Sequence, residues 1–288
     1  MAKEISQNLK RATKKDLAKE LGLARSSLYY QPKRPGRDKE VKVQIEKTLS
    51  DHPAYGHKRI ALALKLNKKR ILRVMKKFHL KPYRRRIKRL RKIGDEGRLP
   101  ALFKNEIKNL CPLAENVIWV MDFTFLRYQN IFIYLATVMD LYTRKVVGWN
   151  IRRFHHKELV LGAFNDALKR TGRKPLYAHS DQGSEYDSQD FINLLQSSGI
   201  IISMSAKSSP WENPYQESFY SQFKLDLGDP NRFESLAELI EGIHLTINYY
   251  NRERIHTALK MAPEEFALKS RRDSEKIVSD VLSDVWGT

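Results

Sequence analysis

Between Val117 and Ile151 three segments, VIWVMDFTFL, NIFIYLATVMDLY and KVVGWNI, are dense in β-branched and aromatic residues and are separated only by short polar turns. That spacing predicts three adjacent strands joined as antiparallel hairpins. Apolar periodicity then changes and predicts a helix over 157–171, a short strand in PLYAHS, a helix over 188–198, a strand over 200–205 and further helices from Asn213 onward. An order βββαβαβα predicts an α/β domain with a mixed sheet and helices on its faces.

The residues before this domain differ in charge. Residues 1–110 hold 33 Lys and Arg against 10 Asp and Glu, whereas residues 111–288 hold 20 against 23, which makes the whole chain +20. So uneven a balance points to a polyanionic partner for the first part, either nucleic acid or an anionic membrane surface. No apolar run approaches the ~20 residues that span a bilayer, and MAKEISQNLKRATKK lacks the apolar stretch of a signal peptide. That leaves a soluble protein and favours nucleic acid as the polyanion. Cys111 is the only cysteine, which excludes an intramolecular disulfide or a cysteine-based zinc site within these residues. It is expected to be a small buried apolar residue.

Within the basic part, Leu17, Leu21, Leu23 and Leu28 are spaced as two short amphipathic helices broken at Gly22, a helix-turn-helix pattern. The second helix would turn Arg25, Ser26, Ser27 and Tyr30 toward a major groove; the alternative is a structural helical pair. After QPKRPGRD, read as a break, helices are predicted over 39–50, 58–65 and 67–78, the last capped by Asn67. Its polar face carries Lys68, Lys69, Arg73, Lys76 and Lys77, and few acids balance them, which favours phosphate contact over a merely solvated face. The run YRRRIKRLRK, with Arg84, Arg85 and Arg86, reads as a basic linker able to lie along phosphates, or as a solvated spacer.

In the second part, acids stand where acids need a reason. Asp122 interrupts an apolar strand, where an unpaired carboxylate would be costly to bury, so a metal, a partner or a catalytic role is expected. Asp181 follows PLYAHS in DQGSE, where it could equally be an ordinary turn former. Glu217 lies in the opening turns of a helix whose N-cap is read as Asn213 and whose first-turn proline is Pro214; alone it would pass for an exposed helical acid. Lys224, seven residues further on, shares its face. Asp140, Glu185, Asp187 and Asp190 read as turn or surface residues.

Taken together, Asp122 in WVMDFTFL, Asp181 in HSDQGSEY and Glu217 in ENPYQESFY, with 35 residues between the last two, resemble the carboxylate triple of retroviral integrases and DDE transposases. HPAYGHKRI, LNKKRILRVMKKFHL, ESFYSQFK and YNRERIHTALKMAPEEF extend the resemblance over nearly the whole chain, to the second-frame transposases of the insertion-sequence-three family. Two departures stand out. One cysteine cannot build the zinc-binding N-domain of the retroviral enzymes, and Glu212 and Pro214 stand where the family more often has Asp and Ala. Glu212 thereby becomes a rival for Glu217, although spacing and the ESF context favour Glu217.

The resemblance implies a ribonuclease-H-like mixed sheet preceded by all-α helix-turn-helix domains. The implied organisation is a helix-turn-helix over 1–35, a second helical DNA-binding domain over 36–80, a basic linker over 81–112, a catalytic domain over 113–270 and a tail over 271–288. It implies that Asp122, Asp181 and Glu217 hold two Mg²⁺ (or Mn²⁺) ions, that element ends are cut, and that the freed 3′-OH attacks another phosphodiester. It further implies that Lys224 contacts the scissile end, and that Asn251, Arg254 and His256 support DNA or the helix bearing Glu217. The partner is double-stranded DNA, both terminal repeats and target. Holding two ends implies a homodimer or larger. Two other readings stay open: a catalytically idle DNA-binding regulator, and a ribonuclease-H-type nuclease acting on hybrids.

Overall fold

The computed structural model describes residues 13–29, 34–84, 102–205 and 213–286. Tyr30, Arg85, Arg86 and Glu212 lie outside them. The predicted strands form one five-stranded sheet: β1 (Ile118–Tyr128), β2 (Ile131–Asp140), β3 (Val146–Arg152), β4 (Tyr177–Ser180) and β5 (Ile201–Met204), in spatial order β3-β2-β1-β4-β5. β1, β2 and β3 are antiparallel hairpins, while β4 and β5 run parallel to β1. This is the ribonuclease-H-like mixed sheet.

Alternation along β1 explains why it reads as a nearly unbroken apolar run. Ile118, Val120 and Leu126 face one layer, made by α7 (Pro214–Leu227) and α8 (Leu236–Arg252), and pack with Phe219, Phe223, Ile243 and Ile247. Trp119, Met121 and Phe123 face the other layer, made by α5 (Lys157–Thr171) and α6 (Gln189–Ser197), and pack with Phe164, Phe191 and Leu195. A strand covered on both faces reads as a near-continuous apolar run. Gly148 on β3 lets α5 come close, because a Cβ there would lie 2.4 Å from the Ala167 backbone nitrogen.

Among the described residues four α-helices precede the sheet: α1 (Lys14–Glu20), α2 (Arg34–Asp51), α3 (His57–Ala63) and α4 (Lys68–Lys77). α2 to α4 share a small core of Val41, Ile45, Ile60, Ile71 and Val74, onto which Ile255 of the second part also packs. The Asn67 side chain caps α4 by accepting from the Lys69 amide at 2.8 Å, as expected.

Four local expectations need correcting. The second helix of the helix-turn-helix is a five-residue 3-10 turn, Arg25–Tyr29, entered after Gly22 in the left-handed region; Ser26 and Ser27 favour turns over helix interiors. The helix expected from residue 39 starts at Arg34, within QPKRPGRD, whose first three residues lie outside the described ones; α2 takes Pro35 into its first turn, where a missing amide costs nothing. α9 (Pro263–Trp286) runs through the expected 270/271 boundary, with neither Gly nor Pro after its first residue to stop it. Cys111 is exposed, not buried. Among the described residues no helix is long and apolar enough to cross a membrane.

Candidate active site

β1 and β4 are paired in parallel up to Val120 and His179. Continued two residues, that register sets Asp122 beside Asp181 at the point where β4 ends. The Asp122 carboxylate accepts from the Phe123 amide at 2.7 Å, and burial raises its pKa to about 7; Asp181 and, more weakly, Glu217 push it the same way, against Lys224. Asp181 is open to solvent on one side but hemmed in on the other. That crowding, followed by Glu185 and Asp187, raises its pKa, although the Gly183 amide donates to it at 3.1 Å. The turn is close-packed at Gly183, where a Cβ would meet the Glu185 carboxylate at 3.1 Å and that of Asp181 at 3.2 Å and push them by a few tenths of an ångström. Asp181 is thus a turn former and a member of the acidic group at once.

Glu217 sits exposed in the first turn of α7, with partial desolvation raising its pKa. What fixes α7 against the sheet is a buried polar seam. Gln216, fully buried, donates to the Val120 carbonyl at 2.8 Å and accepts from the Thr137 hydroxyl at 3.1 Å. The Tyr220 hydroxyl donates to the Asp122 carbonyl at 2.6 Å and lies 2.8 Å from Thr137. Asn213 makes no cap bond; its amide donates to the Met121 carbonyl at 3.1 Å. The expected N-cap therefore ties the start of α7 to β1 instead. Each seam contact joins residues at least 79 apart in the chain, so sequence reasoning missed Gln216, Tyr220 and Thr137. Their only local signal was polarity on faces that should have been apolar.

Asp122 therefore feels both other acids electrostatically. No group of three His, Cys, Asp or Glu among the described residues stands close enough to hold one ion. Two acids read as turn or surface residues are buried. Glu185 meets His155 Nδ1 at 2.5 Å, and Asp140 accepts from the Thr143 and Asn116 amides at 2.7 Å, closing the β2–β3 turn. Asp187 and Asp190 are exposed as expected, the latter 2.6 Å from Lys157.

Two family models described as "Integrase core domain" match residues 112–210 and 198–263. An insertion element IS600 protein of 31 kDa from Shigella sonnei is 30% identical over 263 residues, 86% of this chain and 96% of that protein. The chain belongs to the insertion-sequence-three family of DNA transposases. The transposase InsF for insertion sequence IS3A of Escherichia coli K12 is 33% identical over 53% of this chain and 54% of its own length. The transposase for insertion sequence element IS904 of Lactococcus lactis is 35% identical over 156 residues, which span 53% of this chain and 62% of that protein.

The other residues expected to touch DNA divide by what their side chains already hold. Arg25, Ser26, Ser27, Lys68 and Lys69 are exposed on this transposase's helical part. Arg73 and Lys77 grip Asp38, itself buried, at 2.7 Å and 3.0 Å, and hold its pKa down, Lys77 foremost. Arg84 donates to the Ala54 carbonyl at 3.0 Å. Asn251 is buried and clamps the Val146 amide and carbonyl, both at 2.9 Å. Arg254 is 1% exposed and binds Asp226 and Gln222 of α7, which engages it with the helix bearing Glu217. Burial lowers the His256 pKa to about 4, aided by Arg144, Arg59 and Arg254; its Nδ1 is buried and finds no hydrogen-bond partner among the described residues. Lys224 is half-buried on the face of α7 toward Asp122, its ammonium 5.3 Å from the Phe125 ring.

Proposed function

We propose that Asp122, Asp181 and Glu217 form the reaction centre of this transposase and together hold two Mg²⁺ or Mn²⁺ ions. The observation that carries this is the Asp122 carboxyl, desolvated and pushed to about 7, with Asp181 and Glu217 both adding to the rise. At an effective dielectric near 20, two carboxylates about 4 Å apart repel by about 4 kcal/mol. Oxygen donors gathered against that repulsion suit hard divalent cations. When bound, such ions activate a water or 3′-OH nucleophile and stabilise the leaving oxygen.

The chain's own residues do the rest. The Phe123 amide fixes one Asp122 oxygen, the Gly183 amide fixes one Asp181 oxygen, and the seam through Gln216 and Tyr220 sets the height of Glu217 over β1. Lys224, two turns along α7, is placed to take a phosphate of the scissile strand. Exposed Arg25, Ser26, Ser27, Lys68 and Lys69, with Tyr30, Arg85 and Arg86, supply phosphate and groove contacts to the terminal repeats, and the protein works in the cytoplasm on the nucleoid. The reaction cuts the element's ends and joins the 3′-OH to a second phosphodiester. Two ends handled together call for a homodimer or larger. The domain divisions at 80/81 and 112/113 belong to this reading, while the first limit moves from 35/36 to before Arg34, where α2 begins, and the last from 270/271 to the end of α9.

A DNA binder without chemistry is the competing reading, favoured by the lack of a three-ligand group among the described residues. A strand-transfer assay with labelled end oligonucleotides separates them. Mg²⁺-dependent joining supports the enzyme, and end binding with neither cleavage nor joining supports the idle regulator.

A further inference from the structure

The β1–β2 hairpin outruns its neighbours. β4 is paired with β1 only as far as Val120, and β3 with β2 only from Tyr134 onward. Residues 125–133 therefore run on as a two-stranded ribbon; one face buries Leu126, Tyr128 and Ile133 against Phe233, and a two-stranded ribbon cannot cover the other face by itself. Phe125 and Phe132 stand on it 55% and 48% exposed, ring centroids 5.4 Å apart and edge to face. Phe154, in the turn between β3 and α5, is 66% exposed and stacks on His156 at 5.9 Å. Between Phe132 and Phe154 lies a cleft of about 310 Å³, also lined by Tyr134, Arg153 and His155.

Charge decides what would cover such a surface. Residues 123–133 and 151–156 contain no Asp or Glu but include Arg127, Arg152 and Arg153, and Lys224 sits over the Phe125 ring at 5.3 Å. Phe125 follows Asp122 by three residues, about 10 Å along β1 and on its other face, with Lys224 acting on Asp122 and lying over the Phe125 ring; that distance is about three stacked base steps. Planar π faces rimmed by cations suit nucleobases, and a base offers its face only when unpaired.

We propose that Phe125, Phe132 and Phe154 form a stacking track for unpaired bases of the DNA strand beside the scissile bond. The track rests on the proposed function only for where those bases come from. As a bare aromatic pair, Phe125–Phe132 would merely tighten the hairpin.

The test uses the full chain without divalent metal and two probes of the same duplex: one blunt, and one with a short single-stranded overhang carrying 2-aminopurine. Phosphate contacts common to both probes cancel at fixed salt. The wild type is expected to bind the overhang duplex about five- to tenfold more tightly than the blunt one and to quench the fluorescent base. F132A/F154A should lose both effects, while F132W should keep them. The proposal is overturned if the double variant keeps the wild-type preference and quenching, or if the wild type shows neither. It is also overturned if the double variant dissociates a DNA-free oligomer, which would make the patch a protein interface. Normal quenching with no strand transfer on any end substrate supports the track and counts against the proposed function, so the two fail separately.

Discussion

Replacing Asp122 with Asn should make the metal-free protein more stable, and by an amount that depends on pH. The wild-type carboxyl moves from an ordinary value of 3.8 in the unfolded chain to about 7 in the fold. At about 1.4 kcal/mol per pH unit, that difference amounts to about 4 kcal/mol. The sign follows from proton binding: between pH 4 and 7 the folded state holds the proton that the unfolded state has released, so wild-type stability falls as pH rises through this window. Asn preserves the oxygen that accepts from the Phe123 amide and carries no charge, so it escapes the loss. The variant should match the wild type near pH 4 and exceed it above pH 7, by up to about 10 °C in midpoint for a chain of this size. Adding Mg²⁺ at 100 times its dissociation constant should restore about 2.7 kcal/mol to the wild type alone. Thermal unfolding from pH 4 to 8, with and without Mg²⁺, reads all of this. A variant that is less stable than the wild type at pH 8, or a difference that ignores pH, would refute the picture of a desolvated acid kept for metal.

Asp181→Asn and Glu217→Gln should each abolish joining while gel-shift affinity for element ends stays within about twofold; full joining in either removes that residue from the centre. Joining should also weaken as pH falls below about 7, where protons compete with metal for Asp122, and a flat rate from pH 6 to 8 would contradict this. Gly148→Ala should cost more than the ~1–3 kcal/mol of ordinary overpacking, because the new Cβ meets α5 backbone at 2.4 Å and 2.5 Å. An unchanged urea midpoint would show that α5 yields freely.

Much of this was legible in the residues, and the misses share a cause. The strands of the sheet and helix α5 follow from β-branched density and apolar period, and Asp122 declared itself by being charged among Val120, Met121 and Phe123. Glu185 and Asp140 do sit at turns, as read, but their burial was not legible, because part of it rests on distant partners: His155 lies 30 residues from Glu185 and Asn116 lies 24 from Asp140. Gln216 and Asn213 look like ordinary helix-start polar residues until β1 is laid beside them. The run Pro35-Gly36 misled in the other direction, since proline breaks a helix interior but suits its first turn.

Arg254 offers the sharpest separation between a structural and a DNA-contacting role. Its guanidinium is buried against Asp226 and Gln222, and Gln222 also receives Arg59 of α3 at 3.3 Å. Arg59 in turn donates to the Ile255 carbonyl at 2.9 Å, and the Tyr55 hydroxyl accepts from the Ile255 amide at 2.8 Å. The helical part is thereby keyed to α7, the helix that carries Glu217 and Lys224. Arg254→Met should leave Asp226 buried and unpaired, a loss of about 3–5 kcal/mol. Asp226 already has its pKa raised by burial despite Arg254, so the loss should shrink as falling pH lets the orphaned carboxyl take a proton. Adding Asp226→Leu should recover most of the stability, measured by urea unfolding as a double-mutant cycle. If Arg254 instead served a DNA phosphate, the single variant would keep its stability and lower the salt slope of DNA binding by about 1. That pair of results would overturn the keyed arrangement.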